Sequence, residues 1–338
     1  MLFVLSTVIM LFFSVVSLAD DPNRIKAVEL AVQVINGTAD GNAVTGDSVT
    51  LFIYEHEEFA YALSAEVDQN GMAVFADIPA DDHTIAFTDV LHAAVKYQSR
   101  PVLLKREKKM YIVDINVFDV SCDRSKLFVK THHVIIRPYG GYLSITEHMI
   151  LENSGDMAVI SEKKDQYNRP VVLEIFLPEG FENLGVSRYF DEQTAIVTKD
   201  GFYDTMVVLP GQFEAAFSYT LKVSLPVLRI QRKLSLPVKS FIVSAELGNA
   251  RLEGLGAPQQ ISGRDGNVLD YYLLENLDGT GTITFQITGF NTRRYRISSW
   301  VISSVVFCSL SGAAICRSAR AKKKNRENCR NQVTCRND

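Results

Sequence analysis

Val28-Glu29-Leu30-Ala31-Val32-Gln33-Val34 alternates larger apolar side chains with polar or small ones. Successive side chains of an extended chain point to opposite faces. A period of two therefore lays Val28, Leu30, Val32 and Val34 on one side and predicts a strand with a core there. The period returns at Val49, Leu51 and Ile53 after a turn-rich stretch from Asn36-Gly37 to Gly46-Asp47, and again at Tyr111, Val113, Ile115 and Val117. Asp68-Gln69-Asn70-Gly71 reads as a turn before Val74-Phe75, and Ile78-Pro79-Ala80-Asp81-Asp82 as a break in the run that follows. No segment of helical period and convincing length precedes residue 297. Many short strands between regular turn signals predict an all-β chain of tandem β-sandwich domains.

Residues 122–292 carry the same signature. Leu143 to Asn153 reads as a strand ending at Asn153-Ser154-Gly155-Asp156, and Val171 to Leu177 is stopped by Pro178-Glu179-Gly180. Leu209-Pro210-Gly211 leads into Phe213, Phe217, Tyr219 and Leu221, and Gly279-Thr280-Gly281 marks a last hairpin. Two arrangements stay open for this half: one larger β-sandwich, or two small ones split near 226–237.

The order of a strand, Gly46-x-x-Val49-x-Leu51, and then Asp68-x-x-Gly71-x-x-x-Phe75-x-x-Ile78-Pro79 resembles the carboxypeptidase regulatory-like domain over about residues 26–120. The resemblance implies a transthyretin-like β-sandwich at 20–121; the strands and turns of 122–292 are read as a second sandwich region, transthyretin-like or immunoglobulin-like in class. The resemblance also implies a non-catalytic module that braces or binds its neighbours. The shared positions are turn glycines and core residues, so it carries over no site residue.

The ends of the chain read differently from its body. Residues 1–19 form an uncharged apolar run closing on Ser17 and Ala19, spaced for signal-peptide cleavage before Asp20-Asp21-Pro22. No Lys or Arg precedes the run. Residues 297–316 contain no charge, and a helix of that length spans a hydrocarbon core of roughly 30 Å. Arg317, Arg320, Lys322, Lys323, Lys324 and Arg326 follow at once, which predicts a basic cytoplasmic tail at 317–338 with the body outside. The expected localisation is a single-pass membrane protein contacting the lipid bilayer through 297–316. The net charge of −4 hides this division: residues 20–296 hold 27 Lys and Arg against 37 Asp and Glu, a net of −10. An acidic body repels phosphates, so no nucleic acid is expected as a partner. Of five cysteines, only Cys122 lies in the body, which predicts a fold without an internal disulfide.

Few residues suggest chemistry. His132-His133 is the most inviting metal pair, but neighbours on a strand point to opposite faces and can hardly share an ion, so both read as histidines at a sheet surface. Asp68-x-Asn70-Gly71 echoes a calcium loop, yet loop position twelve is Pro79 where the motif needs glutamate; a plain turn is favoured. Gly254-Leu255-Gly256 and Gly279-Thr280-Gly281 read as hairpin glycines. Glu55-His56-Glu57-Glu58 and Asp81-Asp82 read as solvated acids. Asn36-Gly37-Thr38 fits a glycosylation acceptor. No catalytic, cofactor-binding or metal-binding residue is assigned, and no cofactor is expected.

The function expected is therefore non-catalytic: exported β-sandwich domains that bind or scaffold a protein or carbohydrate partner of the cell envelope. The alternative is an accessory subunit of a membrane complex, and the third choice a hydrolase of unrecognised type.

Overall fold

A computed structural model of the chain describes residues 26–289, except 106, 224–225, 248–249 and 263–267. The predicted signal peptide, membrane helix and basic tail lie outside the described residues. Among the described residues there is no helix long and apolar enough to cross a membrane. They are all-β, in several sheets, and divide into two compact units between Val120 and Ser121.

The N-terminal unit is β-sandwich-like. Its strands are β1 (Lys26–Asn36), β2 (Ser48–Glu55), β3 (Glu58–Glu66), β4 (Met72–Ala80), β5 (Thr84–His92), β6 (Val95–Gln98), β7 (Val102–Leu104) and β8 (Met110–Val117). One sheet runs β4-β1-β8, with β1 antiparallel to β4 and parallel to β8; the other runs β3-β2-β5-β6, with β7 also on β5. The alternating residues that predicted the strands are the buried ones: Val28, Leu30, Val32 and Val34 from one sheet, and Val49, Leu51 and Ile53 from the other. Ile78-Pro79 does not break its strand as expected. β4 runs through to Ala80, because an edge strand tolerates a proline that donates nothing to the ladder. The break comes at Asp81, whose Oδ1 accepts the His83 N–H and the Thr84 hydroxyl, each at 2.8 Å.

The division falls within β9 (Val120–Ser121), and the C-terminal unit begins at Ser121. There follow β10 (Leu127–Tyr139), β11 (Tyr142–Asn153), β12 (Ala158–Val159), β13 (Leu173–Phe176), β14 (Phe181–Arg188), β15 (Ala195–Thr198) and β16 (Gly201–Asp204). The remainder are β17 (Gly211–Lys222), β18 (Val227–Lys233), β19 (Val238–Ala245), β20 (Arg251–Glu253), β21 (Gln259–Ser262), β22 (Val268–Leu277) and β23 (Thr282–Thr288). A seven-stranded sheet runs β14-β17-β11-β10-β19-β22-β21, and two three-stranded sheets run β13-β16-β15 and β18-β23-β20. One hydrophobic cluster joins them, including Ile136, Leu143, Phe217 and Phe241 of the large sheet with Phe202 and Phe285 of the small ones. Strands before and after 226–237 share the large sheet, where β10 pairs in parallel with β19.

The glycine turns need correcting. Gly254-Leu255-Gly256 leads from β20 to β21, and Gly279-Thr280-Gly281 from β22 to β23; each pair of strands lies in two different sheets, so neither turn closes a hairpin. Gly254 and Gly256 take φ of +100° and +86°, which only glycine adopts cheaply. A Cβ at Gly279 would come within 2.9 Å of the Leu236–Pro237 backbone.

One irregularity in β10 decides what the large sheet buries. Val129 faces Leu151 and Thr131 faces Ile150, so Lys130 is the extra residue of a β-bulge. Before it the odd residues Leu127 and Val129 point inward; after it His132, Val134 and Ile136 do.

Candidate functional site

The bulge carries His132 into the core, correcting its expected place at a sheet surface. There it meets Glu147 of β11, Tyr219 of β17 and Arg232 of β18, all buried. Glu147 is fully enclosed. Its Oε2 lies 2.5 Å from His132 Nε2, and its Oε1 accepts the Tyr219 hydroxyl at 2.8 Å. Arg232 donates from Nη2 to Oε2 at 2.9 Å and from Nε to both oxygens at 3.1 Å, while Nη1 donates to the Phe176 and Lys233 carbonyls. Burial alone would raise the Glu147 carboxyl, but Arg232 and then His132 outweigh it and hold it at about 2. Burial holds the His132 ring below its ordinary value against the pull of Glu147, so a neutral ring donates from Nε2. Burial and then the Glu147 charge push the Tyr219 hydroxyl well above its usual range. Beside this network lies a cavity of about 20 Å³, room for roughly one water. Every member is spent on another member or on backbone, so the arrangement acts as a strut that fixes how β10, β11, β17 and β18 meet.

Sequence reasoning missed Glu147 and Arg232, although a signal was there. Glu147 stands in phase with Leu143, Ile145, Met149 and Leu151, and Arg232 in phase with Ile230 and Leu234. A charge at the apolar phase of a strand must find a buried partner or unfold the strand. One acid and one base in that position imply each other.

His133 faces the other way, as neighbours on a strand should. Its ladder partner on β11 is His148, and both line an outer groove of about 220 Å³ with Thr131, Ile150, Arg188 and Glu214. His133 Nε2 lies 2.9 Å from Ser244 Oγ on β19. That is the separation of a nucleophile and its base, but Ser244 is only 4% exposed and serves to hold the ring. Burial, then His148 and His132, lower the His133 pKa. Glu214 is ion-paired with Arg188 across the groove.

The N-terminal unit has its own buried histidine. His92 ends β5, with Nδ1 at 2.7 Å from Asp47 Oδ2 and Nε2 at 2.8 Å from Asp119 Oδ1. The two aspartates thus hold the ring from both sides. Asp119 also accepts from the Asn42 N–H at 2.9 Å, from Asn42 Nδ2 at 3.0 Å and from Asn36 Nδ2 at 3.1 Å. Burial raises its pKa, but these amides and His92 together bring it below the usual carboxylate range. The glycosylation motif is part of the same knot: Asn36 Nδ2 also donates to the Asn42 carbonyl at 2.9 Å, and Thr38 Oγ1 accepts the Asp119 N–H at 3.0 Å. The amide nitrogen a glycan would need is engaged in folding the 37–47 loop.

The remaining candidates are turns. Asp68 Oδ1 accepts the N–H groups of Asn70 and Met72, each at 2.8 Å, which uses the carboxylate a calcium loop would supply. Glu55-His56-Glu57-Glu58 is the β2–β3 hairpin, with His56 and Glu57 at φ of +50° and +69°, the left-handed pair that matches strand twist. The His56 ring lies against that of His83, centroids 4.8 Å apart and planes tilted by 32°. Among the described residues no group of three or more His, Cys, Asp and Glu side chains is arranged to hold a metal ion. No family model matches the chain, and no curated protein does. The likeness to a carboxypeptidase regulatory-like domain thus rests on its turn and core residues alone.

Proposed function

We propose that the chain is a non-catalytic, single-pass membrane protein whose exported β units bind a partner protein by strand addition at β3. The observation that carries this reading is the state of that strand. β3 is nine residues long, stands at the end of its sheet, and is exposed or half-exposed at every position, with Phe59 58% and Leu63 37% exposed. Among the described residues its only ladder partner is β2. A long edge with no proline and no lysine offers its free N–H and C=O groups to another strand. An aromatic row adjoins it on the outer face: Phe52 stacks on Phe87 at 5.0 Å, Phe87 on Tyr54 at 5.7 Å, and Tyr54 meets Phe59 edge-on at 5.7 Å. These rings spend their faces on one another, which favours a protein over a sugar that would stack on an open face.

Charge narrows the partner further. Glu58 and Glu66 bracket β3, and Glu55 and Glu57 flank its turn. A second copy paired antiparallel about Ala62 would set Glu58 against Glu66, which is destabilising. A strand with apolar side chains and basic ends fits instead. Photo-crosslinking from Phe59 in intact cells tests the reading. A discrete adduct with one protein, lost when the crosslinker is moved to Val197, is expected. No adduct from Phe59, or equal adducts from both positions, would refute it.

A further inference from the structure

We propose that His133 and His148 bind one divalent transition-metal ion of the zinc or copper class on the outer face of the large sheet, as a two-imidazole site completed by water. The site is separate from β3 and stands or falls independently of the function proposed above. As antiparallel ladder partners, the two residues stand directly opposite one another. Such pairs carry Cβ atoms about 4.5–5.5 Å apart. From that spacing, two imidazole nitrogens can reach one ion at roughly 2.0–2.1 Å. Both rings line the same groove, whose volume of about 220 Å³ takes an ion with its waters. Imidazole suits zinc, copper and nickel rather than magnesium or calcium.

One further feature prepares the site. Metal-bound imidazoles are ordinarily oriented by a hydrogen bond from their second nitrogen. His133 already has one: Nε2 lies 2.9 Å from the hydroxyl of the buried Ser244, so that a ring donating there keeps its lone pair on Nδ1 for the ion. Glu214 adds a carboxylate to the groove wall, but it is paired with Arg188 of the same wall, so the two together bring no net charge and the imidazoles carry the site.

Of the chain's other four histidines, two are tied to buried carboxylates. Both nitrogens of His92 face aspartates, and His132 Nε2 faces Glu147. His56 and His83 lie against one another with ring planes tilted by 32°, and a double variant tests them as the rival pair. His132 and His133 point to opposite faces of β10. The residue that completes His133 sits fifteen positions on, across the hairpin, where spacing along the chain gives no hint of it.

Full-length protein in detergent, stripped with chelator, is titrated with ZnCl₂ by calorimetry and with CuCl₂ by electron paramagnetic resonance. One Zn²⁺ per chain and a Cu²⁺ spectrum with coupling from two imidazole nitrogens are expected. His133→Ala and His148→Ala should each weaken binding by roughly tenfold or more, while the double variant His56→Ala/His83→Ala binds as wild type does. His148 is exposed, so its replacement separates loss of a ligand from loss of the fold. Wild type binding no more tightly than the His133→Ala/His148→Ala chain, or binding lost in the His56→Ala/His83→Ala chain, would overturn the assignment.

Discussion

The two units each bury a histidine against carboxylate, and they use it differently. In the N-terminal unit the group sits at the end of a strand, where His92 and Asp119 tie the 37–47 loop to the residues after β8. In the C-terminal unit it sits in mid-sheet, where Glu147 binds residues from three other strands inside the core. At a loop the polar knot orders chain that would otherwise be loose. In mid-sheet it occupies space that apolar side chains could fill, so its value is in specifying which strands meet rather than in adding stability.

Breaking the mid-sheet network should have the largest effect. Arg232→Met leaves the Glu147 carboxylate buried without its counter-charge and should cost about 3–5 kcal/mol. Hydrogen exchange read by mass spectrometry on the full chain should show protection lost across β10, β11 and β17 and kept across β1 and β2. Adding Glu147→Leu to Arg232→Met should recover much of the loss. If the double variant is as unstable as the single one, the network stabilises in its own right and the contrast drawn above is wrong.

Acid should separate the units next. Burial depresses His132, so the stability it lends is full above its unfolded value near 6.5 and declines as pH falls below that. Glu147, held at about 2 against about 4.3 unfolded, adds a second loss between about pH 4.5 and 2, worth roughly 3 kcal/mol. Asp119 in the N-terminal unit is also depressed, which places its loss below about pH 4. Exchange measured from pH 7 to 3 should open β10 and β11 before β1 and β2; the reverse order would contradict these directions. A smaller and more local effect is expected from Asp119→Ala. It should cost about 1–3 kcal/mol and raise exchange in 36–47 and around His92 while the C-terminal unit is unchanged.

Most of the strands were legible because alternation is a local property. Val28 to Val34, Val49 to Ile53 and Tyr111 to Val117 each declare their buried face within a few residues. The polar network was not legible in the same way. The Lys130 bulge shifts the phase of β10 by one residue, and nothing in composition announces where a ladder takes up an extra residue. Without that shift His132 falls on the outer face, which is where the sequence reading put it. Glu147 and Arg232 did carry a signal, since each breaks an apolar phase, but their pairing depends on a contact 85 residues apart. The glycine turns misled for a related reason: a turn signal marks a change of direction and does not tell which sheet the next strand joins.

Strand addition at β3 is the claim on which the proposed function rests, and the backbone amides of Glu58–Glu66 report on it directly. Hydrogen exchange of that peptide should be compared between purified protein and protein in its native membranes, with the β10–β11 peptides as an internal reference. The account expects β3 to exchange quickly when purified and to become protected in the membrane while the reference stays constant. Equal, rapid exchange of β3 in both settings would mean that nothing pairs with this edge, and would contradict the account.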